Sequence, residues 1–290
     1  GHGNDADIFL LYVRPVDQGL RTGGMQISVA RENMLEWGLE LPGIKHLKRA
    51  RDLLIELGVM EDDWERNTVH TDVAGDPLGD NLTEYLGLDG KRIGMKLMVS
   101  PTVVGGILDQ CEIGRYDVTI LGASDKWRSR PVAGFLEGSV AEKVANEAPG
   151  SVLVARELEE NHGHLICVDG SEKALETVRQ DGLLASRCAC PISLLSVAPD
   201  ESKVGWAQAN VERAAQALRD MGINPSKAYT LTGDPVARIC EAGERYSIVV
   251  ISAADKRGFR RFLGNSISYR VMSQANCSVM IARKLPPLTQ

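Results

Sequence analysis

The sequence predicts an α/β chain of two tandem domains. Each is a mainly parallel five-stranded sheet with helices on both faces; the first lacks its opening strand and helix and carries an inserted hairpin. Three observations carry this. Residues 246–283 read strand, basic loop, helix, strand. Residues 116–156 repeat that block: Tyr116-Asp-Val-Thr-Ile-Leu-Gly122 answers Tyr246-Ser-Ile-Val-Val-Ile-Ser252, and Ser151-Val-Leu-Val-Ala-Arg156 answers Ser278-Val-Met-Ile-Ala-Arg283. Between them the second half alternates β-α-β-α-β-α-β-α-β, which demands parallel strands joined by crossover helices. The spacing places the first domain at 1–157 and the second at 162–290, with the polar, acidic stretch 157–163 as linker.

Taken in order, Asp7-Ile-Phe-Leu-Leu-Tyr-Val13 is an apolar run of buried-strand length, and its counterpart is Ile192-Ser-Leu-Leu-Ser-Val197. Residues 17–43 are glycine-rich, with a short helix expected over 28–37. Ile44, Leu47, Ala50, Leu53, Leu54 and Leu57 recur at helical spacing and are closed by Gly58. A strand over 68–74 pairs in the repeat with 228–232. Both run into Gly-Asp-Pro, at 75–77 and at 233–235. After the first of these come Glu84 to Leu88 and Arg92 to Val99 around Asp89-Gly90, the signature of a two-residue hairpin turn. This hairpin is expected to lie over the end of the first sheet and close its crevice. A helix over 102–111 then leads into the first repeated block. The second copy opens on Leu165-Ile-Cys-Val168, Asp169-Gly170-Ser171 and a helix through Ala174, Leu175, Val178 and Leu184; the first copy has no equivalent before Ile8.

Composition narrows the function classes. At 290 residues, with 43% hydrophobic and 25% charged residues, the chain suits two globular domains. A net charge of −6 argues against general nucleic-acid binding, which wants a basic face. The six cysteines form no C-x-x-C pair, and Cys167, Cys240 and Cys277 sit in apolar runs, so a reduced, cytoplasmic setting is expected. Cys188 and Cys190 lack neighbouring ligands, and no metal is expected. No stretch approaches the ~20 apolar residues of a membrane span. The histidines form no metal signature. No P-loop or nucleophile elbow occurs, so no catalytic residue is assigned and the chain does not read as an enzyme.

In a doubly wound sheet, ligands sit beyond the C-terminal strand ends where the strand order reverses. The second copy's strand-end residues are Asp169 and Gly170, Val197, Gly233-Asp234-Pro235, Ser252, Asp255, and Gly264-Asn265-Ser266. Several have a plainer use. Asp169 caps the following helix as readily as it holds a ligand; Asp234-Pro235 is an N-cap and N1 pair; Ser266 is a cap. Arg257, Arg260 and Arg261, like Arg128 and Arg130, are phosphate ligands or a solvated loop.

At these loops the chain resembles the universal stress protein family. The second copy resembles it from Leu165 to Arg283. The resemblance implies the five-stranded sheet and, in many members, ATP or AMP bound by Gly-x-x-Gly, nine residues, then Gly-Ser or Gly-Thr. It implies that Asp169 holds the nucleoside and that Gly233-Asp234-Pro235 forms a third-strand loop of the site. Here Ser252 and Asp255 stand where the motif has its first glycines, and Asn265-Ser266 where it has Gly-Ser, with Gly264 one place early. The first copy keeps Gly122, has Asp125 at the second glycine, and carries Gly138-Ser139 three positions late. Glycines let backbone N–H groups approach phosphate, so their loss predicts weak binding, in the second copy only. Members also dimerise through the last strand. The resemblance therefore implies an intrachain pseudo-dimer of 151–155 with 278–282, and leaves room for a homodimer. The reading is a cytoplasmic binding or signalling module. A regulatory part of a larger protein, such as a transporter tail, and a nucleotide hydrolase are the alternatives.

Overall fold

The computed structural model describes residues 6–16, 42–73, 76–123, 139–156, 162–187, 189–253 and 266–284. The chain forms two compact units, 1–110 and 111–290. The helix expected at 28–37 and most of the linker expected at 157–163 lie outside the described residues.

The first unit is a four-stranded sheet in the order β1-β4-β3-β2, with β1 at Ile8–Pro15, β2 at Glu65–Val73, β3 at Asp76–Leu86 and β4 at Arg92–Ser100. Helix α1, Pro42–Glu56, ends as its pattern predicts: Gly58 takes φ +66°, and Val59 N–H returns to Leu54 O at 2.8 Å. The hairpin at Asp89-Gly90 forms, with Gly90 at φ +84°. Its placement corrects the expectation. It is built into a sheet of its own: β4 is an interior strand, parallel to β1 and antiparallel to β3. The reason lies in its two faces. Ile93, Met95, Leu97 and Val99 are all buried, and Gly94 admits the Phe9 ring from β1, where a Cβ would sit 2.5 Å from that ring. A second correction follows. Among the described residues the first copy builds no five-stranded sheet of its own: β1 pairs with β4, while Val118–Gly122 and Ser151–Ala155 join another sheet. Asp76, in the first Gly-Asp-Pro, is not a helix cap but is buried in strand β3, where it accepts from Arg14 Nη2 at 2.6 Å. Helix α2, Val103–Gly114, follows the sheet.

The second unit is a seven-stranded sheet in the order β5-β6-β11-β10-β7-β8-β9. Its strands are β5 Val118–Gly122, β6 Ser151–Ala155, β7 His164–Cys167, β8 Ile192–Ala198, β9 Lys227–Thr232, β10 Ile248–Ser252 and β11 Ser278–Ala282. All neighbours are parallel except β6 and β11. The sixteen-residue helices α4, Glu172–Arg187, and α5, Val204–Arg219, cover one face. Ile166, Val178, Leu194, Val211 and Leu218 form the core there. Beneath α4 a buried His164 faces Asp181, Nδ1 to Oδ2 2.9 Å. The other face carries α6, Pro235–Gly243, and α7, Ile267–Gln274, of nine and eight residues, and α3, Val140–Glu147, beside α7. Ser139 and Glu142 close a capping box on α3. Among the described cysteines Cys111, Cys167, Cys240 and Cys277 are free, whereas Cys190 is disulfide-bonded, a departure from the fully reduced set expected.

The antiparallel seam pairs Val154 with Val279, Leu153 with Met280 and Val152 with Ile281. Its end contacts are reciprocal. Arg283 N–H donates to Ser151 Oγ at 3.1 Å, and Arg156 N–H donates to Ser278 Oγ at 2.9 Å. Arg156 then crosses to Met272 O (2.6 Å) at the end of α7 and to Cys277 O, while Arg283 crosses to Ala145 O at the end of α3. Each guanidinium thus meets carbonyls that a helix terminus leaves unpaired, where positive charge is favoured.

Candidate functional site

Because β8, β7, β10 and β11 are parallel, their C-terminal ends lie on one edge of the sheet. The chain runs outward from β7 through β8 to β9, then returns to pair β10 on the other side of β7. The order therefore reverses between β7 and β10, and that gap is the crevice predicted for ligand. Asp169 and Gly170 end β7, Val197 lies near the end of β8, Gly233 follows β9, and Ser252 ends β10. Asp255, Gly264 and Asn265 lie outside the described residues.

The Asp169 loop is built by its own polar groups. Asp169 Oδ1 accepts from Ser171 N–H at 3.0 Å and from Ser171 Oγ at 2.6 Å. Ser171 Oγ in turn accepts Ala174 N–H at 3.1 Å. Ser171, not Asp169, therefore caps α4, and Asp169 Oδ2 keeps no partner among the described residues. Gly170 is required where it stands. It sits at φ +80°, and a Cβ would lie 2.2 Å from Asn210 Oδ1. Gly233 sits at φ +131°, its N–H bonded to Ala198 O at 2.9 Å, with the Arg238 side chain alongside. Asp234 caps α6 through Ala237 N–H at 2.9 Å, and Pro235 is its first helical residue. Ser266 caps α7 through Tyr269 N–H at 3.3 Å. The plainer uses of Asp234 and Ser266 are thus realised, and Asp169 remains the strand-end carboxylate with an oxygen to offer.

Three residues escaped the sequence reading. Asp200 repeats the Asp169 turn one strand over: its Oδ1 accepts from Ser202 N–H at 2.9 Å and from Ser202 Oγ, which holds its carboxyl below the ordinary value. The shared Asp-x-Ser spacing was the available signal. Asn210 is 7% exposed and its Nδ2 is buried without a partner, beside Gly170. Its signal was a polar residue on the face of α5 that also carries Ala207, Val211 and Ala214. Arg238 donates to Thr232 O at 3.0 Å and to Glu241 at 2.9 Å, next to Gly233. The described strand ends thus hold the carboxylates Asp169, Asp200 and Asp234 beside two cations, Arg238, already engaged, and Lys203, near Asp200. Among the described residues no group of three or more His, Cys, Asp or Glu is placed to hold a metal ion.

Comparison with known proteins agrees with this architecture. Residues 164–283 match the Universal stress protein family. A structure from Pseudomonas aeruginosa assigned to the same family is 14% identical over 96% of this chain and 94% of its own, with a TM-score of 0.54; the likeness is one of fold. A universal stress protein from Archaeoglobus fulgidus DSM 4304 is 16% identical over 66% of this chain and 70% of its own, TM-score 0.49. Another from Archaeoglobus fulgidus, solved in complex with dAMP, is 18% identical over 42% of this chain and 97% of its own, TM-score 0.35. No curated protein matches the chain. The likeness to the universal stress protein family thus rests on residues 164–283, less than half of the chain.

Proposed function

We propose that the chain is a binding module whose crevice between β7 and β10 takes an adenine nucleotide weakly, AMP better than ATP. One observation carries the reading: Asp169 stands at the strand-order reversal, fixed through Oδ1 by Ser171 while Oδ2 stays unpartnered among the described residues. A carboxylate fixed in this way accepts the two hydroxyls of a ribose. The class of ligand is that named for a solved member of the family, dAMP. The preference for AMP rests on the three strand-end carboxylates and on Asp255 at a motif glycine. A carboxylate about 4 Å from a phosphate charge costs on the order of 1–4 kcal/mol, depending on local dielectric.

The proposal extends to the assembly and its setting. The chain is a tandem member whose two similar blocks pair within one molecule through β6 and β11; support comes from the antiparallel register and the reciprocal Ser151–Arg283 and Ser278–Arg156 contacts. A cytoplasmic setting is part of the reading; Cys111, Cys167, Cys240 and Cys277 are free, in its favour, while the disulfide at Cys190 stands against it. No described helix is long and apolar enough to cross a membrane.

Calorimetry on the full chain tests the nucleotide. AMP is expected to bind more tightly than ATP, and Asp169→Ala to weaken AMP about tenfold or more, as loss of hydrogen bonds to a charged group implies. Tight ATP binding by the wild type, or an Asp169→Ala variant that binds AMP unchanged, overturns the reading.

A further inference from the structure

The two faces of the seven-stranded sheet are unequally covered. Helices α4 and α5, sixteen residues each, shield one face; α6 on the other has nine. The shorter helix leaves a groove of about 530 Å³ between itself and strands β8 and β9, within the range of about 300–1,000 Å³ usual for small-molecule sites. Its walls reach Pro191 and Ser226, which precede β8 and β9. They run from there to Leu231 and Arg238, near the C-terminal end of β9, and none of the lining residues is Asp169, Gly170 or Ser252.

Its lining has a defined chemistry. Tyr229 on β9 and Tyr246 before β10 both line it. Leu231 and Ala242 add apolar surface. Three cationic side chains, Lys227, Arg238 and Arg245, line it against one carboxylate, Glu241. Arg238 holds Glu241 at 2.9 Å, which leaves Lys227 and Arg245 with no ion pair among the described residues. In a chain of net charge −6, this is a local excess of positive charge around aromatic walls.

We propose that this groove is a second ligand site, distinct from the nucleotide crevice, and that it takes a small aromatic carboxylate. The carboxylate meets Arg245, whose planar fork suits it, and Lys227. The flat body lies against Tyr229, Tyr246 and Leu231, where rings pack edge-on or offset. The site is independent of the nucleotide reading and stands if that reading fails.

The test uses 2-naphthoate as probe, titrated into the isotope-labelled full chain and followed by amide NMR. Shifts are expected at Tyr229, Tyr246 and along α6, not at Asp169 or Gly170, and saturating AMP leaves them in place. The double variant Lys227→Ala/Arg245→Ala, at exposed positions with its fold checked by melting, is expected to weaken 2-naphthoate tenfold or more. The neutral analogue 2-naphthalenemethanol is expected to bind the wild type at least tenfold more weakly than the carboxylate. No binding at millimolar probe, shifts that map to the crevice and yield to AMP, or equal affinity for the double variant or the neutral analogue each overturns the proposal.

Discussion

Two blocks of similar sequence, β5-α3-β6 and β10-α7-β11, sit side by side in one sheet and have different surroundings. They meet antiparallel, so the ends of β5 and β6 point to one edge of the sheet and those of β10 and β11 to the other. The second block is continued by β7, β8 and β9, which bring Asp169, Gly170 and Gly233 to its strand ends. The first block has β5 at the sheet edge, with Ile120 64% exposed. The strand that resembles β8 in sequence, β1, belongs to another sheet, paired with β4. Two similar blocks thus share a seam, while among the described residues the strands that form a crevice flank only one of them. The lesson is physical: a seam needs only the block's own strand and its terminal Ser and Arg, whereas a crevice needs neighbours.

The largest effect should separate seam from edge. Val154 is fully buried and faces Val279 across the seam. Val154→Asp is expected to cost about 3–5 kcal/mol or to prevent folding, since it buries a charge without a partner. Ile120→Asp, on the exposed edge, is expected to cost under about 0.5 kcal/mol. Urea unfolding of both variants checks this, and similar costs would erase the distinction.

The reciprocal arginines should then prove unequal. Arg156 makes two carbonyl bonds, at 2.6 and 3.0 Å. Arg283 is more deeply desolvated. Burial pushes its guanidinium down to about 10, and its Nη1 has no partner. Arg156→Ala is therefore expected to cost about 2 kcal/mol and Arg283→Ala about 1 kcal/mol, values typical of hydrogen bonds that involve a charged group offset by its desolvation. A reversed order in denaturant melts would mean that the seam is not organised as described.

Much of this contrast was legible in the sequence. The caps Asp234 and Ser266 and the helix-closing Gly58 act through neighbours a few residues away, so local pattern suffices; the paired Ser and Arg of 151–156 and 278–283 show only as a repeat, since their partners lie more than 120 positions away. What was not legible depends on distant partners. Asp76 and Asp234 share the tripeptide Gly-Asp-Pro, yet Asp234 caps a helix while Asp76 is claimed by Arg14, 62 positions earlier. The apolar run of β1 announces a buried strand but not that β4 is its neighbour, because pairing is settled by which faces must be covered. Asp169 stands just beyond the end of β7, and only the position of Ser171 shows that Ser171 rather than Asp169 caps α4. Asn210 was missed because a polar residue in a helix reads as solvated until Gly170 is found against it.

A smaller effect concerns the loop of the second block. Asp255→Gly is expected to strengthen ATP about tenfold, roughly 1.4 kcal/mol, and AMP less, because the shorter nucleotide reaches less far along the phosphates' path. Calorimetry with both nucleotides reads the difference; equal gains would mean that Asp255 does not sense the outer phosphates.

The smallest effect is on pH. Burial raises the Cys240 thiol from its ordinary value of 9.0 to about 11. The unfolded chain then loses this proton before the folded one. The stability from this group is complete below about 9 and is lost as pH rises toward 11. Cys240→Ala is expected to flatten that decline slightly in thermal melts between pH 8 and 11. A steeper decline in the variant would reverse the sign.

The most direct test of the contrast between the blocks is a crystal structure grown with millimolar AMP. The account predicts nucleotide density between the ends of β7 and β10, with the ribose hydroxyls on Asp169 Oδ2, and none beyond β5 and β6. Density at the β5–β6 ends, or nucleotide between β7 and β10 that leaves Asp169 untouched, would contradict it.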